Sequence, residues 1–384
     1  MGLELKIEPP KILPELDDFA VVLCGGGAAG RWQAGVLAAL AQKGVLEQTS
    51  VMAGTSVGGL NTGLFTAYGA VDFPEGEVPS SPIEEMPPPP PGSEPDINED
   101  DIPSEEPPPT FMNATAVWES IKDNKDVYNG AINSLFDKVA AGFGFIFGKR
   151  SILDPKPLYA KLDKLFKDST LEDLHSLIGI HMIVSSLDLN AQREEFYCSF
   201  GPNKGMKVAD ALKRTSAIPA IFPSVKGVDI DKDGKKHTHW HVDGGAGANN
   251  PFIALNKYNT AFPNKQVKKV IVVFCYPDEY VDIGTGIVAP DNTKSYEAYR
   301  DAILQTVPAS MNAQEQVAEE IIKDKVKTAG WDVLALYPKD RPCDALDFTK
   351  TKLLQEGYNY GINGKGYSYK SDNEVDVIDF LKKV

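Results

Sequence analysis

The chain predicts an α/β fold organised as a doubly wound sheet, and three observations carry that expectation. Short apolar runs such as Phe19-Ala20-Val21-Val22-Leu23-Cys24 and Val51-Met52-Ala53 alternate with segments of helical periodicity. Two of these runs end directly in glycine turns, Gly25-Gly26-Gly27 and Gly54-Thr55-Ser56-Val57-Gly58, and each turn leads into a helical segment. The length of 384 residues suffices for one large α/β core, or at most two. Strands are expected at about 18–24, 49–53, 180–189, 193–200, 238–243, 269–275 and 332–338. Helices are expected at about 31–43, 57–69, 207–214, 293–326 and 373–383.

The first strand opens into three consecutive glycines. These leave backbone N–H groups bare at a helix N-terminus, where the dipole also favours negative charge, so the turn suits a phosphate or a tetrahedral oxyanion. Gly25, Gly27 and Gly30 also match the dinucleotide pattern G-x-G-x-x-G. That reading needs an acidic residue at the end of the next strand, which instead ends in Ala53-Gly54-Thr55-Ser56.

The second strand delivers Ser56 between Gly54 and Gly58, with Gly59 behind it. A serine attacks well when a tight strand-to-helix turn presents its hydroxyl, and flanking glycines permit that bend; Ser56 is a candidate nucleophile. Farther along, the alternating run Trp240-His241-Val242-Asp243 enters Gly244-Gly245. Asp243 at that strand end can face a serine from another strand, or it can simply cap the amides of an Asp-Gly turn. Asn249-Asn250-Pro251 reads as a helix start.

Three of the five histidines, His237, His239 and His241, alternate along this strand and project to one face. They invite a metal site or a Ser-His-Asp arrangement. Same-face neighbours on a strand lie roughly 6.5 to 7 Å apart, too far to share a zinc at roughly 2 Å without distortion. A solvated or hydrogen-bonded histidine face is expected, with His241 kept as the alternative base. Asp229, Asp231, Asp233 and Gly234 begin like a calcium loop, but Trp240 stands where an EF-hand needs its glutamate; a polar hairpin turn is expected.

In order, a glycine-rich oxyanion turn, G-T-S-V-G and D-G-G resemble the patatin-like phospholipase family. Ser216-Ala217-Ile218-Pro219-Ala220-Ile221-Phe222-Pro223 is similar to its S-A-x-P-x-x-F-P segment, and Leu153-Asp154-Pro155-Lys156-Pro157-Leu158 to the element before its middle strands. Ala345-Leu346-Asp347-Phe348 with Leu353-Leu354-Gln355-Glu356-Gly357 is similar to the closing strand and helix of bacterial members, so the resemblance spans most of residues 18 to 365. It implies a three-layer α/β/α fold with a mostly parallel sheet and a nucleophile elbow. It implies a Ser-Asp dyad of Ser56 and Asp243, with the amides of Gly25, Gly26 and Gly27 as the oxyanion hole and Gly54, Gly58, Gly244 and Gly245 as motif glycines. The activity implied is hydrolysis of phospholipids or related acyl esters at a membrane surface, of phospholipase A or lysophospholipase type, with no metal or other cofactor. Acyl transfer to an alcohol, or lipid or partner binding governed by an acidic insert, are the alternatives. One departure is plain: the basic residue that commonly follows the family's glycine triplet is Ala29 here. Arg31 sits two residues on, about 200° around a helix, so it cannot replace that side chain.

The formal charge of −15 is unevenly spread. Residues 72–109 hold twelve Asp or Glu, thirteen prolines and no Lys or Arg, so the remainder carries only −3. That stretch cannot bury a core and is expected to be disordered, partly polyproline II. The expected organisation is therefore an extension over 1–17, a catalytic domain over 18–370 interrupted by an insert over 72–110, and a C-terminal helix over 371–384. The insert is either a tolerated solvated loop or a lid or tether for an activator or a proline-binding partner. Phe143-Gly144-Phe145-Ile146-Phe147 beside Lys149-Arg150 can dip into a lipid interface or pack in the core. Nothing points to nucleic acid. No apolar run reaches the roughly 18 residues of a spanning helix, and Met1 to Glu15 lacks the marks of a signal peptide. With Cys24, Cys198, Cys275 and Cys343 scattered and without C-x-x-C spacing, a reduced cytoplasmic or membrane-peripheral location is expected.

Overall fold

β1 (Phe19–Leu23) is five apolar residues with no exposed side chain. A strand buried on both faces belongs in the middle of a parallel sheet. Its neighbours β2 (Thr49–Thr55) and β7 (Lys269–Val273) both run parallel to it, with Leu23 opposite Gly54 on one side and Val273 on the other. β3 (His181–Asp188) continues the parallel pairing beyond β2, and β8 (Asp332–Tyr337) continues it beyond β7. The flanks turn antiparallel. β4 (Arg193–Cys198) and β6 (Lys236–Asp243) both pair with β3, β5 (Val225–Ile230) pairs with β6, and β9 (Lys365–Ser368) with β10 (Glu374–Asp376) closes the opposite edge. The order is β10-β9-β8-β7-β1-β2-β3-β6-β5, with β4 off this path.

The computed structural model describes residues 18–69, 114–130, 151, 153–219, 221–230, 236–277, 317–340, 346–368 and 374–382. The extension 1–17, the insert 72–110, the aromatic run with Lys149 and Arg150, Asp231 to Gly234, Cys343 and the first part, 293–316, of the helix expected over 293–326 lie outside those residues. Cys24, Cys198 and Cys275 are buried. No helix among the described residues is long and apolar enough to cross a membrane.

Side-chain alternation along β1 divides the interior. Phe19, Val21 and Leu23 enter one apolar core, and Ala20 and Val22 the other. The first core is covered by α1 (Gly30–Gln42), α2 (Val57–Tyr68), α3 (Ala114–Glu119), α4 (Lys156–Phe166), α5 (Leu171–Ile178), α6 (Val208–Thr215), α9 (Thr351–Ile362) and α10 (Val377–Lys382). The second is covered by α7 (Leu255–Ala261) and α8 over 317–329. The architecture is the expected three-layer α/β/α with a mostly parallel sheet.

α1 lies between sheet and α9, where Gly35 lets the helices close: a Cβ there would sit 2.3 Å from the Tyr358 carbonyl oxygen. Arg31 is buried against α9 and donates from Nη2 to Gln355 Oε1 at 2.5 Å, so it braces two helices. Ala29 is fully buried.

Several short elements differ from expectation. β10 takes residues 374–376, so the helix expected from 373 begins at Val377. β5, β9 and β10 carry no long alternating apolar pattern and owe their extension to a paired neighbour, which makes tertiary pairing rather than propensity decisive. β5 and β6 pair antiparallel with Asp229 opposite His237; the residues between them, where the polar hairpin turn is expected, lie outside the described residues.

Candidate active site

Ser56 stands between the last residue of β2 and the first of α2, at φ 54° and ψ −125°. Such a conformation costs a non-glycine residue roughly 1–3 kcal/mol and persists only when surroundings enforce it. Here the enforcement is steric and polar together. A Cβ on Gly54 would lie 2.2 Å from the Gly58 carbonyl oxygen, and one on Gly58 would lie 2.2 Å from that of Leu23. The helix start therefore sits directly on β2 and β1, which no side chain at 54 or 58 would allow. The Ser56 N–H is held by Thr215 Oγ1 at 2.8 Å, and Thr215 is fully buried at the end of α6.

Asp243 ends β6, on the far side of β3 from Ser56. Thr55 is opposite Ser185, and Asp243 is opposite the next residue, Ser186. Two strand spacings of about 4.8 Å separate the chains, a gap that serine and aspartate side chains reach across. The same stretch fixes the aspartate: just past α6, the Ala217 carbonyl accepts the Asp243 N–H at 2.8 Å. Gly244 lies against β3, where a Cβ would approach Ser185 Oγ to 2.5 Å.

The carboxyl divides its oxygens. Oδ1 accepts the Gly245 N–H at 2.7 Å, as a turn-capping aspartate does. Oδ2 is buried with no partner in hydrogen-bond geometry. Burial pushes the Asp243 pKa up to about 7, while the nearby Ser56 hydroxyl and the Gly245 amide pull it back. The hydroxyl thus acts on the carboxyl while stopping short of a well-formed bond. Asp243 and burial together also raise the Tyr159 phenol on α4, burial being the larger cause.

The glycine turn reaches the same spot. A Cβ on Gly25 would lie 3.1 Å from Ser56 Cβ. Its amide, however, is committed: the Gly25 N–H donates to the Asn249 carbonyl at 3.1 Å, and Asn249 Nδ2 returns a bond to the Gly25 carbonyl at 3.4 Å. Gly25 is therefore a tie between the glycine turn and the Asp243 loop, which corrects its expected place among oxyanion donors. The Gly26 and Gly27 amides donate to no described residue, and Gly27, at φ 56°, lines the groove beside Ser56. The Val57 amide, first in α2, is also without an intrahelical acceptor. Thr215 carries no motif that marks it from sequence, and Asn249 and Val57 fall in segments singled out for other reasons. Asn250 does the expected work of a helix start, its Oδ1 accepting the Phe252 N–H at 3.1 Å.

His241 is fully buried. Its Nδ1 lies 3.1 Å from the Tyr197 hydroxyl and 3.5 Å from Glu195 Oε2. Its ring is 6.4 Å from that of His239, whose Nδ1 contacts Asp188 Oδ2 at 2.6 Å. The histidine face is thus a hydrogen-bonded network, and Ser56 makes no hydrogen bond to it. Asp188, Glu195 and His241 place ligand atoms within 4.8 Å of one another, the one such grouping among the described residues. Arg214 donates to the Tyr197 hydroxyl at 3.1 Å within this network, and its charge opposes a bound cation there.

Beside Ser56 opens a groove of about 780 Å³, including space continuous with solvent. Val57, Leu60 and Leu64 of α2 form one wall, Val117 and Trp118 of α3 another, and Leu158, Leu162 and Leu165 of α4 a third. The α4 residues recur at helical spacing on one face. The Trp118 indole N–H donates to Asn61 Oδ1 at 2.7 Å, fixing α3 against α2. An apolar groove ending at a serine hydroxyl and bare amides has the shape and chemistry to take an acyl chain.

A family model described as Patatin-like phospholipase matches residues 21–256. Among solved structures, VipD from Legionella pneumophila is similar at 15% sequence identity and a TM-score of 0.38, over 96% of this chain and 67% of that one. No curated protein gives a significant match.

Proposed function

The chain belongs to the patatin-like phospholipase family, and from that membership as a lipid acyl hydrolase we propose that it cleaves phospholipid acyl esters, in phospholipase A or lysophospholipase fashion, through a dyad of Ser56 and Asp243. The observation that carries this reading is the pairing of a strained serine with a buried carboxyl across β3, the latter raised to about 7. A base with a pKa near the working pH accepts a proton and later returns it with little penalty either way.

The ester binds with its acyl chain in the groove and its carbonyl over Ser56. Asp243 takes the hydroxyl proton as Oγ attacks the carbonyl carbon, and the negative charge collects on the carbonyl oxygen. The Gly26, Gly27 and Val57 amides meet that charge without first having to reorient. Collapse expels the alcohol, which leaves with the proton from Asp243. Water then attacks the acyl-enzyme, Asp243 again accepting the proton, and a fatty acid departs from regenerated Ser56.

The test is fatty acid release from mixed phospholipid vesicles by the parent, Ser56→Ala and Asp243→Asn, with folding checked by circular dichroism. Loss of release in both folded variants is expected. Release by Asp243→Asn near the parent rate would remove Asp243 as the base and redirect attention to His241.

A further inference from the structure

The walls of the groove are apolar except at a few points, and its two charged members are Asp126 and, on α4, Lys161. Lys161 shares the groove-facing side of α4 with Leu158, Leu162 and Leu165, at spacings of three and four residues. Its ammonium is half-buried, and burial lowers its pKa against a smaller opposing pull from Asp126.

Asp126 pulls on the ammonium through its charge but forms no ion pair with it. Oδ2 of Asp126 accepts the Lys122 and Asp123 N–H groups, at 2.7 and 3.0 Å, which close a capping box on the short turn before Val127. Among the described residues Lys161 makes neither a hydrogen bond nor an ion pair. The neighbouring surface behaves differently: on the solvent side of the same helix Asp163 pairs with Lys213 at 2.5 Å. A cation desolvated beside apolar side chains and left without a partner costs free energy that an anion entering the groove would recover.

We propose that Lys161 is a specificity residue that holds the phosphate of a phospholipid head group, so that this site favours phosphate-bearing acyl esters over neutral esters of the same acyl chain. It deepens the Ser56–Asp243 reading and rests on it. The acyl chain runs along the leucines of the groove, while the phosphate is held at the Lys161 ammonium. Three ammonium donors on a flexible stem suit a phosphate in several head groups, so recognition is of the charge rather than of one alcohol.

The experiment uses palmitoyl lysophosphatidylglycerol and monopalmitoylglycerol, each dispersed in the same neutral detergent micelles. The ratio of their kcat/KM values is measured for the parent, Lys161→Gln and Lys161→Arg. Lys161→Gln is expected to lower the phosphate-over-neutral ratio by roughly tenfold or more, through KM, the worth of a charge-assisted hydrogen bond. Lys161→Arg is expected to retain most of it. An unchanged ratio in Lys161→Gln, or an equal fall on both substrates, overturns the assignment. Binding of the same two lipids to Ser56→Ala, with and without Lys161→Gln, separates recognition from turnover. If the parent cleaves neither lipid yet Ser56→Ala binds lysophosphatidylglycerol through Lys161, the dyad reading fails and the phosphate site stands. If Lys161→Gln weakens only inhibition by palmitate, the fatty acid carboxylate is the anion and the phosphate assignment falls.

Discussion

Replacing Asp243 with asparagine is expected to stabilise the protein, and the gain depends on pH. The carboxyl is raised from its ordinary 3.8 to about 7 because ionising it inside the fold forfeits water. Between those values the folded chain binds more protons than the unfolded one, so the parent loses stability as pH rises through about 7. Asparagine carries no charge to desolvate and keeps an oxygen for the Gly245 N–H, which Oδ1 now accepts at 2.7 Å. A gap of roughly three units, at about 1.4 kcal/mol each, sets a ceiling of about 4 kcal/mol on the gain above neutrality. Urea unfolding of both proteins at about pH 5 and pH 8 measures it. The variant is expected to gain about 1–2 kcal/mol at the lower pH and roughly 4 kcal/mol at the higher, a difference of about 2–3 kcal/mol between the two. Comparing the two proteins at each pH cancels the titration of all other groups. A variant no more stable than the parent at about pH 8 would show that the carboxyl bears no such burden, and the case for a tuned base would fall with it.

Thr215→Val keeps shape but leaves the buried Ser56 N–H without its acceptor, a cost of about 1–3 kcal/mol; kcat is expected to fall roughly tenfold to hundredfold, with Thr215→Ser near the parent. If the groove takes the acyl chain, kcat/KM on nitrophenyl esters rises by up to roughly fourfold for each added methylene until the space is filled, and Leu64→Trp stops that rise at a shorter chain. Burial, helped by His175 and Lys265, lowers the His181 pKa to about 4. The unfolded chain therefore binds the extra proton, so stability is fully present above about pH 6.5 and declines toward pH 4. His181→Phe, stacked as His181 is at 3.7 Å on His175, is expected to flatten that acid limb in thermal melts.

The strands that deliver Ser56, Asp243 and the glycine turn are legible because each reports its place by local chemistry. β1 and the core of β2 are apolar and bounded by glycine, and an aspartate before Gly244-Gly245 announces a strand end. The helix start at Asn250-Pro251 is equally local. What was not legible depends on contacts between distant segments. Thr215 is one threonine at the end of a short helix, and only its position 159 residues away in sequence from Ser56, yet within 2.8 Å of its amide, gives it a role. The commitment of the Gly25 amide to Asn249 has the same character: three glycines look alike until a loop from 224 residues away occupies one of them. The groove escaped notice because its walls come from α2, α3 and α4, and α3 follows a long acidic segment that carries no trace of what it returns to. For His241 strand spacing already argued for a hydrogen-bonded face over a metal site, but the partners that bury the ring, Tyr197 and Arg214, come from distant segments.

The most direct measurement is the mass of the intact protein and of its Ser56 peptide after rapid acid quenching during turnover of a slow acyl ester. A dyad acting through Ser56 predicts one acyl group per chain, located on Ser56, with none on Ser56→Ala and little on Asp243→Asn. Turnover without an acyl adduct on Ser56, or an equal adduct on Asp243→Asn, would contradict it.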